Sequence, residues 1–330
     1  MEGLTLWLMS GKGACCAEGL VDAAGICEQL GIPHHVVDTR DTFQQEIVQR
    51  LVDGYRDGIT PLPCSQCNRS VKFGPMLEWA AEHRGLPRIA TGHYARIRHG
   101  GAQGRHQLLR GLDCRKDQSY FLHQVGHQAL GRSLFPVGNV DKTLVREKAA
   151  SAGFVTARKK DSTGICFIGE RRFRDFLKQY LPAQPGPIVS VDGDELGEHE
   201  GLMYHTIGQR QGLRIGGLAN RPEAPWYVVD KNVTDNVLVV AQGNEHPALF
   251  KKQLTATDVI WISGEPPTLP LTCHAKIRYR QVDQPCEVFI AGAKIQVSFA
   301  TPQRAVTPGQ SVVFYEGDIC LGGGVIEGAQ

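Results

Sequence analysis

Arg88-Ile89-Ala90-Thr91-Gly92-His93-Tyr94 reads as a short buried strand that stops at a glycine. In an open α/β sheet the carboxyl end of a strand is where ligands bind, and glycine there lets a ligand approach the backbone. His93 can serve such a ligand or be a capped surface residue. Upstream, Lys72 to His83 has a helical pattern, and Phe43, Ile47, Leu51 and Tyr55 recur at intervals of four on another amphipathic segment. Glu18 to Leu30 carries apolar positions at helical spacing. Gly31-Ile32-Pro33 stops that helix, and His34 to Val37 follows as a strand. Met1 to Met9 is apolar without the basic start or cleavage site of a signal peptide, and reads as a buried strand. Strand–helix alternation predicts a parallel sheet with helices on its faces.

After Gly169 the texture changes. Val-, Ile- and Tyr-rich runs (Trp226 to Val229, Val237 to Ala241, Leu271 to Tyr279, Ile295 to Phe299, Ser311 to Tyr315) alternate with Gly, Pro, Asp and Asn. Short strands with regular turn signals predict β-barrels or sandwiches. Arg172 to Tyr180 stands apart as a basic helix closed by Leu181-Pro182. With 330 residues the chain has room for two or three domains, each with its own core.

A net charge of +2 decides nothing about nucleic acid, because counterion release depends on the face presented to phosphate. No stretch approaches the ~20 apolar residues of a membrane span, so no membrane partner is expected. Without an export signal the ten cysteines are expected to be free, metal-bound or catalytic, and the chain cytoplasmic.

Two segments can carry thiol chemistry. In Pro61-Leu62-Pro63-Cys64-Ser65-Gln66-Cys67-Asn68-Arg69 the prolines place the cysteines on a loop before the Lys72 helix. A thiol at that helix N-terminus, beside Arg69 and Lys72, would have its thiolate favoured and suit a nucleophile; packed small residues are the alternative. Zinc would need a second pair at ligand spacing, which Cys15-Cys16, Cys273 and Cys286 do not supply, so no metal site is expected. In Arg158-Lys159-Lys160-Asp161-Ser162-Thr163-Gly164-Ile165-Cys166-Phe167-Ile168-Gly169 a basic run precedes a glycine-bounded cysteine. That thiol either lies near a phosphate-bearing partner or is buried beside Ile165 and Phe167 behind a solvated charge run. Lys116-Asp117-Gln118-Ser119 offers a cation, a carboxylate and an amide, for nucleic acid or for an ordinary helix start.

In order along the chain, these segments resemble the bacterial tRNA-specific 2-thiouridylases from about Gly3 to Glu327. The resemblance also rests on Gly201-Leu202-Met203-Tyr204-His205-Thr206-Ile207-Gly208-Gln209-Arg210, Arg278-Tyr279-Arg280-Gln281 and Thr307-Pro308-Gly309-Gln310. It implies an α/β ATP-pyrophosphatase-type catalytic domain over 1–169, a central tRNA-binding domain over 170–246 and a C-terminal β-barrel over 247–330. It implies ATP-dependent 2-thiolation of the wobble uridine of tRNA, with magnesium. In that scheme Cys166 carries a persulfide, and Cys67 is the nucleophile that forms a transient disulfide with it. Leu6 and Gly92 would meet ATP. Leu62, Pro63, Cys64, His93, Lys116, Asp117, Gln118, Arg278, Tyr279 and Gln310 would meet tRNA. The implied partners are glutamate, glutamine and lysine tRNAs and a sulfur-relay protein or cysteine desulfurase.

Two departures stand out. The family begins with a strand and an S-G-G-x-D-S phosphate loop before the point where this chain starts, so the chain is read as N-terminally truncated. Ser10-Gly11-Lys12-Gly13 follows a different strand and lacks the aspartate. The alternative reading is therefore a tRNA-binding homologue defective in ATP binding. Cys64 stands where members often carry Asp, adding a thiol that can compete for Cys67.

Overall fold

The computed structural model describes residues 1–10, 17–100, 104–161, 164–168, 173–216 and 224–330. Strand β1 (Gly3–Trp7) precedes helix α1 (Ala17–Leu30), which ends where Gly31 turns left-handed (φ 64°). β2 (His34–Asp38) returns parallel to β1, from Gly3 opposite His34 to Trp7 opposite Asp38. The amphipathic stretch that follows is α2 (Arg40–Phe43), a π-helical turn (Gln44–Gln49) and α3 (Arg50–Arg56). Phe43, Ile47, Leu51 and Tyr55 are all buried, so the four-residue spacing selected the core face.

Next come α4 (Pro63–Cys67), a π-helical turn (Asn68–Lys72), α5 (Pro75–Arg84) and the short strand β3 (Ile89–Ala90). A hairpin of β4 (Ala95–Arg98) and β5 (Gln107–Arg110) leads to α6 (Ser119–Leu122) and α7 (His127–Gly131). β6 (Ser133–Leu134) then lies parallel to β3, before α8 (Lys142–Ser151) and α9 (Phe173–Leu177).

The expected parallel strands are present as two pairs, β1–β2 and β3–β6, among the described residues. Two expectations need correction. β1 is half-buried rather than buried, because only one of its edges is paired and Trp7 reaches solvent. The two cysteines of the Pro61–Arg69 segment sit on a helix, not a loop. Pro63 occupies the first helical turn, where its missing N–H costs nothing and its fixed φ favours helix. The basic helix expected from Arg172 is described over Phe173–Leu177, and Gly169 to Arg172 lie outside the described residues.

A central sheet has the order β8-β7-β10-β9, from β7 (Gly186–Ser190), β8 (Glu195–His199), β9 (Trp226–Asn232) and β10 (Val237–Gln242). Ile188, Val228, Leu238 and Val240 form its core. The last domain is a barrel of β11 (Phe250–Trp261), β12 (Leu271–Lys276), β13 (Gln284–Ala291), β14 (Lys294–Arg304), β15 (Ser311–Glu316) and β16 (Ile319–Ala329). It closes through β11 against β16.

The first two residues of β16 also pair with β5, Ile319 opposite Leu109 and Cys320 opposite Leu108. The β4–β5 hairpin of the catalytic half is thereby an extension of the barrel sheet. One core runs across the junction, with Leu108, Tyr120 and Leu122 packed against Val313, Tyr315 and Cys320. Tyr120 Oη donates to the Ser311 carbonyl at 2.9 Å. Among the described residues no helix is long and apolar enough to cross a membrane.

Candidate active site

Cys64 and Cys67 lie one turn apart on α4, which places both on one helix face. Cys67 is buried and Cys64 half-buried. Burial pushes the Cys67 thiol up to about 11, and Cys64 up to about 12. Two further charges act on both: Lys72 pulls each down, and Cys166 is near enough to push each up. Lys72 and Cys166 thus both stand within electrostatic reach of Cys64 and Cys67, although 99 positions separate Cys67 from Cys166. Cys166 is exposed, but its neighbours Phe167 and Ile168 are buried. Phe167 meets Phe43 edge-on at 5.1 Å, which anchors the chain beside the thiol.

This environment differs from the one expected. Cys67 lies inside a continuous helical run, last in α4 and leading straight into the π-helical turn Asn68–Lys72, so it stands at no free helix N-terminus whose dipole would favour its thiolate. Arg69 turns away to Asp258 on β11, at 2.6 Å. Lys72 alone of the two cations acts on the thiol. At neutral pH the Cys67 thiol is therefore protonated, and any attack by it would need a proton acceptor.

Lys72 also borders a cavity of 880 Å³ that opens between β1 and β3. Gly3 to Leu6, Met76 and Ile89 to His93 line it, with Gln118 beside them. A Cβ on Gly92 would meet nothing within 4 Å, so the backbone there faces open space. His93 packs between Phe73 (5.5 Å) and Phe135 (5.7 Å), with Nδ1 2.8 Å from Thr91 Oγ1. Burial, and then Lys72, push His93 down to about 3, so it is neutral and exchanges hydrogen bonds rather than charge. Of Ser10-Gly11-Lys12-Gly13, the last three lie outside the described residues; Ser10 accepts from Arg40 at 2.8 Å.

The remaining candidates fall into two groups. Leu62 caps α4, and Gln310 reaches its approach loop, donating from Nε2 to the Thr60 carbonyl at 2.8 Å. Gly309 (φ 88°) touches the same residue, where a Cβ would lie 2.8 Å from the Thr60 carbonyl carbon. Gln118 brackets Tyr94, accepting from its N–H at 3.0 Å and donating to its carbonyl at 2.8 Å. Lys116 is half-exposed and pairs with Asp161 at 2.8 Å. Asp117, in contrast, is buried, and Arg278 is half-buried and held by its own neighbours. Asp117 accepts from Gly111 N, Ser119 N and Ser119 Oγ, and Arg278 donates to the Ala305 carbonyl at 3.1 Å.

Tyr279 packs at a tilt against Phe121, with ring centroids 4.4 Å apart, and lines a second crevice, of 750 Å³, with Arg96, Arg110, Arg115, Lys276 and Arg280. Sequence reasoning missed this crevice and gave Lys72 no site of its own. The crevice joins residues about 170 positions apart, which no local pattern reports. Lys72 carried a local signal, a cation one to two turns after Cys67. Among the described residues no three His, Cys, Asp or Glu side chains stand together as metal ligands.

Three family models match the chain in succession. Residues 4–170 match a tRNA methyl transferase HUP domain, 174–242 a tRNA methyl transferase PRC-barrel domain, and 251–326 an aminomethyltransferase beta-barrel domain. The chain is 55% identical to the tRNA-specific 2-thiouridylase MnmA of Parasynechococcus marenigrum (strain WH8102), over 99% of this chain and 84% of that protein. It is 54% identical to the protein of the same name in Salmonella paratyphi B, over 94% of this chain and 84% of the relative. That coverage does not by itself establish the truncation expected above. The domain descriptions speak of methyl transfer, whereas the relatives are named for thiolation; a gathered set of thiols serves the second chemistry.

Proposed function

The chain belongs to the tRNA-specific 2-thiouridylase family, and from that membership we propose how its residues carry out ATP-dependent 2-thiolation of the wobble uridine of tRNA. The observation that supports the assignment of roles is that Lys72 and Cys166 both lie near enough to Cys67 to act on its charge, with Lys72 also bordering the cavity lined by Leu6 and Gly92. At 880 Å³ the cavity falls within the roughly 300–1,000 Å³ typical of ligand pockets, and we assign it to the nucleotide. Among the described residues its one lining carboxylate, Glu2, is held by Arg84 and His35, so these residues offer no cage for magnesium. The ion is then expected to arrive on the phosphates and to neutralise their charge.

The uridine 2-oxygen attacks the α-phosphorus of ATP, and pyrophosphate leaves. The terminal sulfur of a Cys166 persulfide attacks C2, and AMP leaves with its oxygen. Cys67, losing its proton, attacks the Cys166 sulfur and breaks the S–S bond. The C2 sulfur stays on the uridine, and a Cys67–Cys166 disulfide awaits reduction by an external thiol. Lys72 stabilises the forming Cys67 thiolate. Neutral His93, Gln118 and the α4 segment Leu62-Pro63-Cys64 would border the flipped base, while Lys116, Tyr279 and Gln310 approach the tRNA around it. Asp117 and Arg278 would act from within, by fixing the loops that carry Lys116 and Thr307.

The exposure of Cys166 suits loading by a second protein, and we propose a persulfide-bearing sulfur-relay protein or cysteine desulfurase as donor. Glutamate, glutamine and lysine tRNAs are the proposed substrates, and the cytoplasm the proposed location. The test is a thiolation assay on unmodified tRNA with ATP, magnesium and a sulfur donor. The expected result is 2-thiouridine from the unaltered protein and none from Cys67→Ala or Cys166→Ala. Thiolation that survives Cys166→Ala would remove the assigned carrier.

A further inference from the structure

Three cations from two elements converge on one carboxylate. Lys116 Nζ lies 2.8 Å from Asp161 Oδ2, while Arg146 Nη2 (3.0 Å) and Lys142 Nζ (3.3 Å) approach Oδ1. Lys142 and Arg146 are one turn apart on α8, and Lys116 comes from the turn before α6. Arg146 also donates to the Lys159 carbonyl at 3.1 Å. Lys159 itself reaches back to Asp22 on α1, at 2.6 Å. The chain is thus pinned on two sides just before Asp161, which is five residues ahead of Cys166.

The arrangement contributes little to stability. All four side chains of the cluster are 29–40% exposed, and ion pairs this open to solvent are largely offset by hydration and side-chain entropy. With Arg115 and its partners Asp113 and Asp141 included, the patch holds four cations against three carboxylates. A surplus cation and a carboxylate reachable from solvent suit exchange with another oxyanion. A backbone phosphate presents the same pair of charged oxygens to the same donors.

We propose that Lys116, Lys142 and Arg146 form a site for a tRNA backbone phosphate, in which Asp161 is the internal stand-in that the phosphate displaces. Asp161 is then a positioning residue. It holds the chain leading to Cys166 until substrate arrives, and its release couples tRNA docking to delivery of the persulfide sulfur. The proposal rests on the thiolation reading above and adds Lys142, Arg146 and Asp161 to the machinery.

The experiment uses the full chain and an unmodified tRNA transcript. It measures Kd across a salt series and single-turnover thiolation at saturating tRNA. Asp161→Asn removes the competitor, so tRNA should bind about 3- to 10-fold tighter while thiolation of the bound tRNA slows. Asp161→Glu should restore both values. Arg146→Met, with Asp161 in place, should weaken binding and reduce the salt slope by about 1. A Kd for Asp161→Asn equal to or weaker than that of the unaltered protein, with tRNA still bound and thiolated, overturns the stand-in alone. A normally folded chain that binds no tRNA at all would remove the thiolation reading and this proposal together.

Discussion

The barrel and the nucleotide half treat their strands in opposite ways. In the barrel every strand from β11 to β16 has a neighbour on each side, and Val288, Val297, Val312 and Phe314 are fully buried within the ring. In the nucleotide half β1 and β3 each pair on one edge, and an 880 Å³ cavity stands between them. Closed pairing yields stability and leaves little backbone for a ligand. Open edges cost stability and give an incoming group somewhere to bind. The thiols sit beside the open half, and the barrel braces their segment through Pro308, Gly309 and Gln310 at Thr60 and through Asp258 at Arg69.

The sharpest way to break this contrast is to remove the thiols. Cys67→Ala and Cys166→Ala should each lower thiolation by ~10³-fold or more and leave tRNA affinity within a few-fold, read as 2-thiouridine by mass spectrometry. In the barrel the effects should reverse. Phe314, stacked on Trp261 at 5.4 Å, is fully buried, so Phe314→Ala should cost about 3–5 kcal/mol in chemical denaturation. Thiolation per folded molecule should hardly change. A large kcat effect there would mean the two halves are not divided as described.

Gly309→Ala tests the contact between the halves. Its positive φ and its approach to Thr60 should together cost about 1–3 kcal/mol, with a lowered Tm and slower thiolation through the α4 approach loop. Lys72→Met should have the smallest effect. Without the cation the Cys67 thiol rises above about 11, so alkylation between pH 7 and 9 should slow several-fold and its alkaline limb move to higher pH. An unchanged pH profile would show that Lys72 does not act on Cys67.

The same thiols set a pH window for stability. Cys64 and Cys67 titrate near 9 when exposed, but are held at about 12 and about 11 in the fold. Their protonated forms are thus favoured by folding. This contribution is fully present below about 9 and is lost as pH rises through 11 to 12.

What the sequence made legible was local. Glu18 to Leu30 showed its helix because a glycine, left-handed in the structure, ends it, and the strands after Trp226 showed because turn residues bound them. The paired cysteines were misplaced because Pro63 was read as a breaker, whereas at a first helical position it starts a helix. Arg69 was given to the thiol because they are neighbours in sequence, although a carboxylate 189 positions away holds it. Nothing local could reveal the split between β1 and β3 or the pairing of β5 with β16, since both depend on partners far along the chain. The meeting of Cys67 with Cys166 was implied by resemblance alone; no periodicity links residues that far apart.

The sharing of β16 has a genetic consequence. This strand, Ile319–Ala329, pairs with β15, with β11 and with the hairpin strand β5. A nonsense codon just before Ile319 would spare Cys64, Cys67 and Cys166. It would nevertheless open the barrel and strip β5 of its neighbour, baring the edges of β11, β15 and β5 and the apolar core around Leu108 and Tyr120. Late stop codons should therefore behave as null alleles of the whole enzyme, and the barrel should resist deletion or exchange as a cassette.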